Sequence, residues 1–290
     1  MAPANDLVIA CDWSSAQGRK PRPQEDRCWL AWGGHNPASR SEPCYMPTRL
    51  EAEARIIELL ADHPGRAIVG VDFAIGYPIF APEGDAPSPL LPVGRDLCRM
   101  LAERVTDDPS GVNNRFEVAD ALNREIESRT GFAGPFWGRP RELASLRALP
   151  ERRPGRPTGF AQHRACELAA QRETKSRPQS AWKCSGIGSV GGQSLVGMPM
   201  VHRLLTDPAL AQRARLWPFD DADDRDDAIM ICEIYPSMFP ERSPVYWYKD
   251  ARQVVDTRDA ILDGIADGSI TLEVEHPDAS VEGWILGVPG

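Results

Sequence analysis

Three short apolar runs in this chain each end on an acid. Leu7-Val8-Ile9-Ala10-Cys11 ends on Asp12, Ala67-Ile68-Val69-Gly70-Val71 on Asp72, and Ala228-Ile229-Met230-Ile231-Cys232 on Glu233. Uninterrupted runs of this length suit strands buried on both faces of a sheet. A turn follows each acid: Trp13-Ser14-Ser15, Phe73 to Pro78, and Ile234-Tyr235-Pro236. Between these runs the pattern predicts a second strand at Arg27–Trp32, closed by Gly33-Gly34, and a short third at Cys44–Met46. Thr48 then begins a helix, with Leu50, Ala54, Ile57 and Leu60 on one face and Glu51, Glu53 and Glu58 outside.

From Pro78 to Ser194 proline, glycine and arginine interrupt the pattern. Helices are predicted at Gly94–Val105 and Phe116–Thr130, with weaker ones at Arg141–Ala148 and Gln162–Glu173. A glycine-rich turn, Gly186 to Gly192, precedes a helix near Met198–Leu205. Further helices are predicted at about Asp250–Ala266 and Ala279–Leu286.

Without the 78–194 segment the order is three strands, helix, strand, helix, strand, helix. Short links make the first three strands an antiparallel meander, and helical crossovers make the later strands parallel to the first. This is the element order of the α/β ribonuclease H-like fold, read here as one domain over 1–290 with 78–194 as a helical cap insertion. In that fold the first, fourth and fifth strands are neighbours, which brings Asp12, Asp72 and Glu233 to one rim. Three carboxylates there repel one another unless a cation sits among them, so Mg²⁺ or Mn²⁺ held by Asp12, Asp72 and Glu233 is the expected centre. The plainer reading is that each acid caps a helix or starts a turn, as Asp often does.

Composition narrows the classes. Hydrophobic residues at 42% and charged residues at 26% describe a globular protein. No run approaches the ~18 apolar residues of a membrane span. No basic-then-apolar leader opens the chain. The seven cysteines are odd in number and hold no Cys-x-x-Cys pair, which argues against zinc and a disulfide framework and for the reducing cytoplasm. The net charge of −9 is uneven. Residues 139 to 183 hold eleven Lys or Arg against four Glu, a local +7 interleaved with Phe160 and Trp182, while six aspartates crowd 220–227 as a solvated loop.

Three phrases carry a family resemblance: Val-Ile-Ala-Cys-Asp-Trp-Ser-Ser at 8–15, Val-Gly-Val-Asp-Phe-Ala-Ile-Gly-Tyr-Pro at 69–78, and Cys-Glu-Ile-Tyr-Pro-Ser at 232–237. They resemble the signatures of a bacterial group of uncharacterised proteins predicted to be RNase H-like, metal-dependent nucleases. Residues 164–205 resemble a subgroup whose members often carry molybdopterin- or cobalamin-related labels. The resemblance implies a fourth acid from the end of the chain. Glu282 is the first choice, with Asp278, Asp256 and Asp259 as alternatives.

Arg164, Lys183, Gln193 and Lys249 are the candidate substrate contacts. Gly186-x-Gly188-x-x-Gly191 lacks the preceding strand of a dinucleotide fingerprint and reads better as a phosphate-holding turn. No Gly-x-Ser-x-Gly elbow is present, and His163 and His202 fall in helices as structural or exposed residues. The leading expectation is a metal-dependent phosphodiester hydrolase acting on nucleic acid. The alternatives are a nucleotide- or cofactor-directed phosphohydrolase, akin to actin-like ATPases and acting on a phosphorylated small molecule, and a non-catalytic binding module.

Overall fold

A computed structural model describes residues 6–83, 86–154, 160–174, 177–221, 225–243 and 245–290. One six-stranded sheet runs through it: β1 (Leu7–Asp12), β2 (Cys28–Gly33), β3 (Cys44–Met46), β4 (Ala67–Val71), β5 (Ala214–Leu216) and β6 (Ile229–Glu233). The strand order is β3-β2-β1-β4-β6-β5. β3, β2 and β1 pair antiparallel, while β4, β6 and β5 run parallel to β1. This is the ribonuclease H-like topology expected from the element order.

The helices are α1 (Arg49–Ala61), α2 (Gly94–Arg104), α3 (Arg115–Thr130), α4 (Ala165–Glu173), α5 (Val190–Thr206), α6 (Lys249–Asp267) and α7 (Ala279–Glu282). Thr48 caps α1 by accepting the Glu51 N–H, as its position before a periodic run implies. Four local expectations differ from the structure. Residues 141–148 form one 3₁₀ turn, Arg141–Leu143. The last helix stops at Glu282, where Gly283 takes a left-handed φ of 78°. β5 is three residues long, too short for any periodicity to mark it. α5 starts at Val190, eight residues early, because its glycines are sites of close approach. A Cβ on Gly191 would lie 2.4 Å from the Ala181 carbonyl oxygen.

Alternation along the strands divides the core. Ile9, Cys11, Val69, Val71 and Ile231 pack on one side with Ile56 of α1, Leu101 of α2, Leu122 of α3 and Leu204 of α5. Val8, Ala10, Met230 and Cys232 pack on the other with Val254 and Ile261 of α6 and Ala169 of α4. The 78–194 segment therefore feeds both apolar layers, α2 and α3 on one side and α4 on the other. Among the described residues, no helix is long and apolar enough to cross a membrane.

Candidate functional site

The register of the sheet positions the acids. Cys11 pairs with Val71 in parallel, and the Asp72 N–H donates to the Cys11 carbonyl at 3.0 Å, so Asp12 and Asp72 share one row across β1 and the end of β4. The residue after each is a buried aromatic. Trp13 and Phe73 are 1% and 2% exposed, and their rings lie 6.1 Å apart, fixing both chain reversals beneath the rim. Both aspartates are half-buried and line one cleft of about 640 Å³.

Neither carboxylate accepts a hydrogen bond or forms an ion pair among the described residues. An aspartate retained to hold a turn or cap a helix would bond a nearby N–H. These two do not, and the plainer reading loses its support. Burial, then the negative charges of Asp72, Asp250 and Asp26, hold the Asp12 carboxyl well above the ordinary range, with Lys249 opposing. Burial, then Glu233 and Asp250, raise Asp72 to about 7, again against Lys249. Asp250, on the first turn of α6, is raised mainly by burial, although its Oδ2 accepts the Asp26 N–H at 2.7 Å. A carboxyl group poised near neutral pH can exchange a proton at working pH, or ionise fully once a cation approaches.

Glu233 does not join this row. It pairs with Val71, one residue behind Asp72, and because successive residues of a strand face opposite ways, its side chain leaves the rim on the other side. It is 5% exposed and fully engaged. Arg164 binds it bidentately, Nη2 to Oε1 at 2.5 Å and Nη1 to Oε2 at 2.8 Å, and the Ile75 N–H donates to Oε2 at 3.1 Å. Burial raises the Glu233 carboxyl, and Arg164 offsets part of that.

Arg164, expected to contact substrate, is fully buried and bonded also to Glu167 at 3.0 Å, where no ligand in the cleft reaches it. Glu282 is likewise a strut. Its Oε1 accepts the Ile79 N–H at 2.6 Å and its Oε2 accepts the Ala165 N–H at 2.7 Å, tying the start of the insertion and the start of α4 to α7. Of its alternatives, Asp256 accepts the Arg242 N–H at 3.0 Å and Asp259 bonds Arg258 at 2.8 Å. Asp278, beside His276, does not line the cleft.

Gln193 and Lys249 do line the cleft, and Gln193 donates to the Trp13 carbonyl at 2.5 Å. Lys183 braces the glycine-rich turn through the Ile187 carbonyl. The acidic run is described only at Asp220, Asp221, Asp226 and Asp227, and residues 222–224 lie outside the described residues. Three cleft residues were not singled out from the sequence: Asp26, Asp250 and Arg115. Asp26 stands in a loop with a left-handed φ of 56°, and Asp250 follows the noted Lys249, but no local pattern points to the sheet rim.

Among the described residues, no group of three or more His, Cys, Asp or Glu side chains forms a metal-ligand set. Comparison of the chain with protein families, curated proteins and solved structures finds no match. The fold and the register-matched aspartates therefore define the site by themselves.

Proposed function

We propose that this chain is a metal-dependent phosphodiester hydrolase of nuclease type, with Mg²⁺ or Mn²⁺ held by Asp12 and Asp72. One observation carries the reading: two unpartnered, register-matched carboxylates stand at neighbouring strand ends, with proton affinities raised by burial and by nearby carboxylates. A cation facing them would favour the ionised form of both, which burial and neighbouring carboxylates now oppose. The residues fit a hard divalent ion of the Mg²⁺ type, which takes one or two carboxylates and completes its shell with waters and substrate phosphates. Glu233 does not fit as a third ligand, since Arg164 and the Ile75 N–H occupy both of its oxygens. Asp250 keeps Oδ1 free of any hydrogen bond among the described residues and is the better neighbour.

When bound, such an ion polarises a phosphoryl oxygen and lowers the pKa of a coordinated water. Asp12 and Asp72 would hold and orient it, and Lys249 would moderate the anionic charge of the rim. The resemblance of residues 8–15, 69–78 and 232–237 to a predicted nuclease group supports the same reading. All seven cysteines are free, six of them buried, which suits the cytoplasm.

The test is a thermal melt with and without Mn²⁺, run beside cleavage assays on DNA and RNA. Wild type should gain stability with metal, and Asp12→Asn and Asp72→Asn should lose most of that gain and all cleavage. Equal metal-induced gains in all three proteins would eliminate these carboxylates as ligands. A second reading, a phosphohydrolase acting on a nucleotide or cofactor, draws on the bounded cleft and the glycine-rich turn beside it. Metal binding with ATP hydrolysis and no nucleic-acid cleavage would select it. Metal binding with neither activity would select a binding module.

A further inference from the structure

Arg115, the first residue of α3, is 7% exposed and lines the same cleft as Asp12 and Asp72. Of the other buried arginines, Arg27 donates only to the Gln17 and Gly18 carbonyls, whereas Arg49, Arg164 and Arg258 are neutralised by carboxylates. Arg49 meets Asp107 at 2.5 and 2.7 Å, and Arg164 meets Glu233. Arg115 has no ion pair among the described residues. Its Nη1 donates to the Asn113 Oδ1 at 2.9 Å, its guanidinium lies 4.1 Å from the Phe116 ring centroid, and its Nε has no acceptor. Burying a charge is costly unless it is paired. The neighbour is Asn where the isosteric Asp would supply a counter-charge, and the Asn113 Nδ2 is itself unpartnered.

The positive field of Arg115 reaches Cys184, the residue before the glycine-rich turn at the N-terminus of α5. That turn lines the cleft from Ser185 to Val190, with left-handed φ at Gly186 and Gly188. The first turn of α5 holds no acidic residue, and Ser189 makes no side-chain cap there, which leaves the positive end of the helix dipole facing the cleft. Asp12 and Asp72 line the same cleft as Arg115 and this turn.

We propose that Arg115 and the turn before α5 form an anchoring subsite for the terminal phosphate of a small, nucleotide-sized ligand whose other end lies at Asp12 and Asp72. The subsite rests on the proposed phosphodiester hydrolase reading, narrowed to short substrates, for what happens at that other end. A cleft of about 640 Å³ is the size of a small-molecule site. A long nucleic acid is disfavoured, because affinity for it depends on many cationic phosphate contacts, and the cleft offers Arg115, Arg177 and Lys249 against four aspartates in a chain of net charge −9. The Arg115 guanidinium is also largely buried. Burial lowers its pKa only to about 10, so it is charged at neutral pH.

The experiment is calorimetric titration in EDTA with the dinucleotide pApA and with ApA, which lacks the 5′-phosphate. Wild type should bind pApA at least tenfold tighter than ApA. Arg115→Gln should erase that preference, while Asp12→Asn and Asp72→Asn should keep it. If Arg115→Gln does not fold, Asn113→Asp decides the matter, since it gives Arg115 a counter-ion in place. It should raise the melting temperature and also erase the preference. Equal binding of pApA and ApA by wild type, or an unchanged preference in a folded Arg115→Gln or Asn113→Asp protein, would overturn the subsite. Tighter binding of long single-stranded RNA that ignores Arg115 would overturn it too. Because the titration is metal-free, a surviving phosphate preference without metal-dependent cleavage would sink the hydrolase reading and leave the subsite standing.

Discussion

Asp72→Asn should make the metal-free protein more stable at pH 8, less so at pH 5, and leave it almost unchanged near pH 3. Asp72 has an ordinary value of 3.8 and is raised to about 7 in the fold, first by burial and then by Glu233 and Asp250. An acid whose folded pKa is raised binds more protons folded than unfolded. Its contribution is therefore present below about pH 4 and is lost as pH rises toward 7. The gap converts to a ceiling of ~4 kcal/mol at ~1.4 kcal/mol per pH unit. Asp72 is partly open to water, and the effective dielectric of such sites is high, so the realised cost is nearer ~1–2 kcal/mol. For a chain this large that is about 2–6 °C in melting temperature. Asn keeps the shape and removes the charge, so the variant should melt that much higher at pH 8 in EDTA, and the difference should fall to roughly 40% of that at pH 5 and vanish near pH 3. Saturating Mn²⁺ should then reverse the order, since a ligand at 100 times its Kd adds ~2.7 kcal/mol to wild type alone. Equal melting at pH 8, or a gain that persists undiminished at pH 5, would refute the electrostatic account of the rim.

The struts behave oppositely. Glu233→Gln should destabilise by ~3–5 kcal/mol, because it leaves Arg164 buried beside Glu167 with half of its counter-charge gone. Chemical denaturation would read the loss, and a stability unchanged to within experimental error would contradict the pairing described. Glu282→Gln should cost ~1–3 kcal/mol in the same assay, since a Gln amide presents a donor to one of the two N–H groups now bound by carboxylate oxygens. Gly191→Ala should cost ~1–3 kcal/mol by forcing a methyl group against the Ala181 carbonyl. If the turn before α5 does hold a phosphate, it should also weaken pApA binding in the metal-free titration.

The sequence by itself determined five of the six strands and their order in the sheet. Runs such as Leu7–Cys11 and Ala67–Val71 are apolar on both faces, and only a strand covered on both sides accommodates that. The links between runs, short at first and helical later, dictate antiparallel and then parallel pairing. Asp12 and Asp72 were legible because an acid directly after a buried strand must emerge at the rim. What the sequence left open was settled by register. Glu233 carries the same strand-end pattern, but a one-residue offset across β4 and β6 turns its side chain away, and the offset is set by pairing between chain segments 162 residues apart. Arg164 and Glu282 read as site residues because charge type carries no information on depth, and only packing shows that both are enclosed. The converse holds for Arg115. One arginine among many in a Pro- and Arg-rich stretch has no local mark, and its standing comes from an absence, the missing carboxylate, that exists only once every neighbour has been brought into place by the fold.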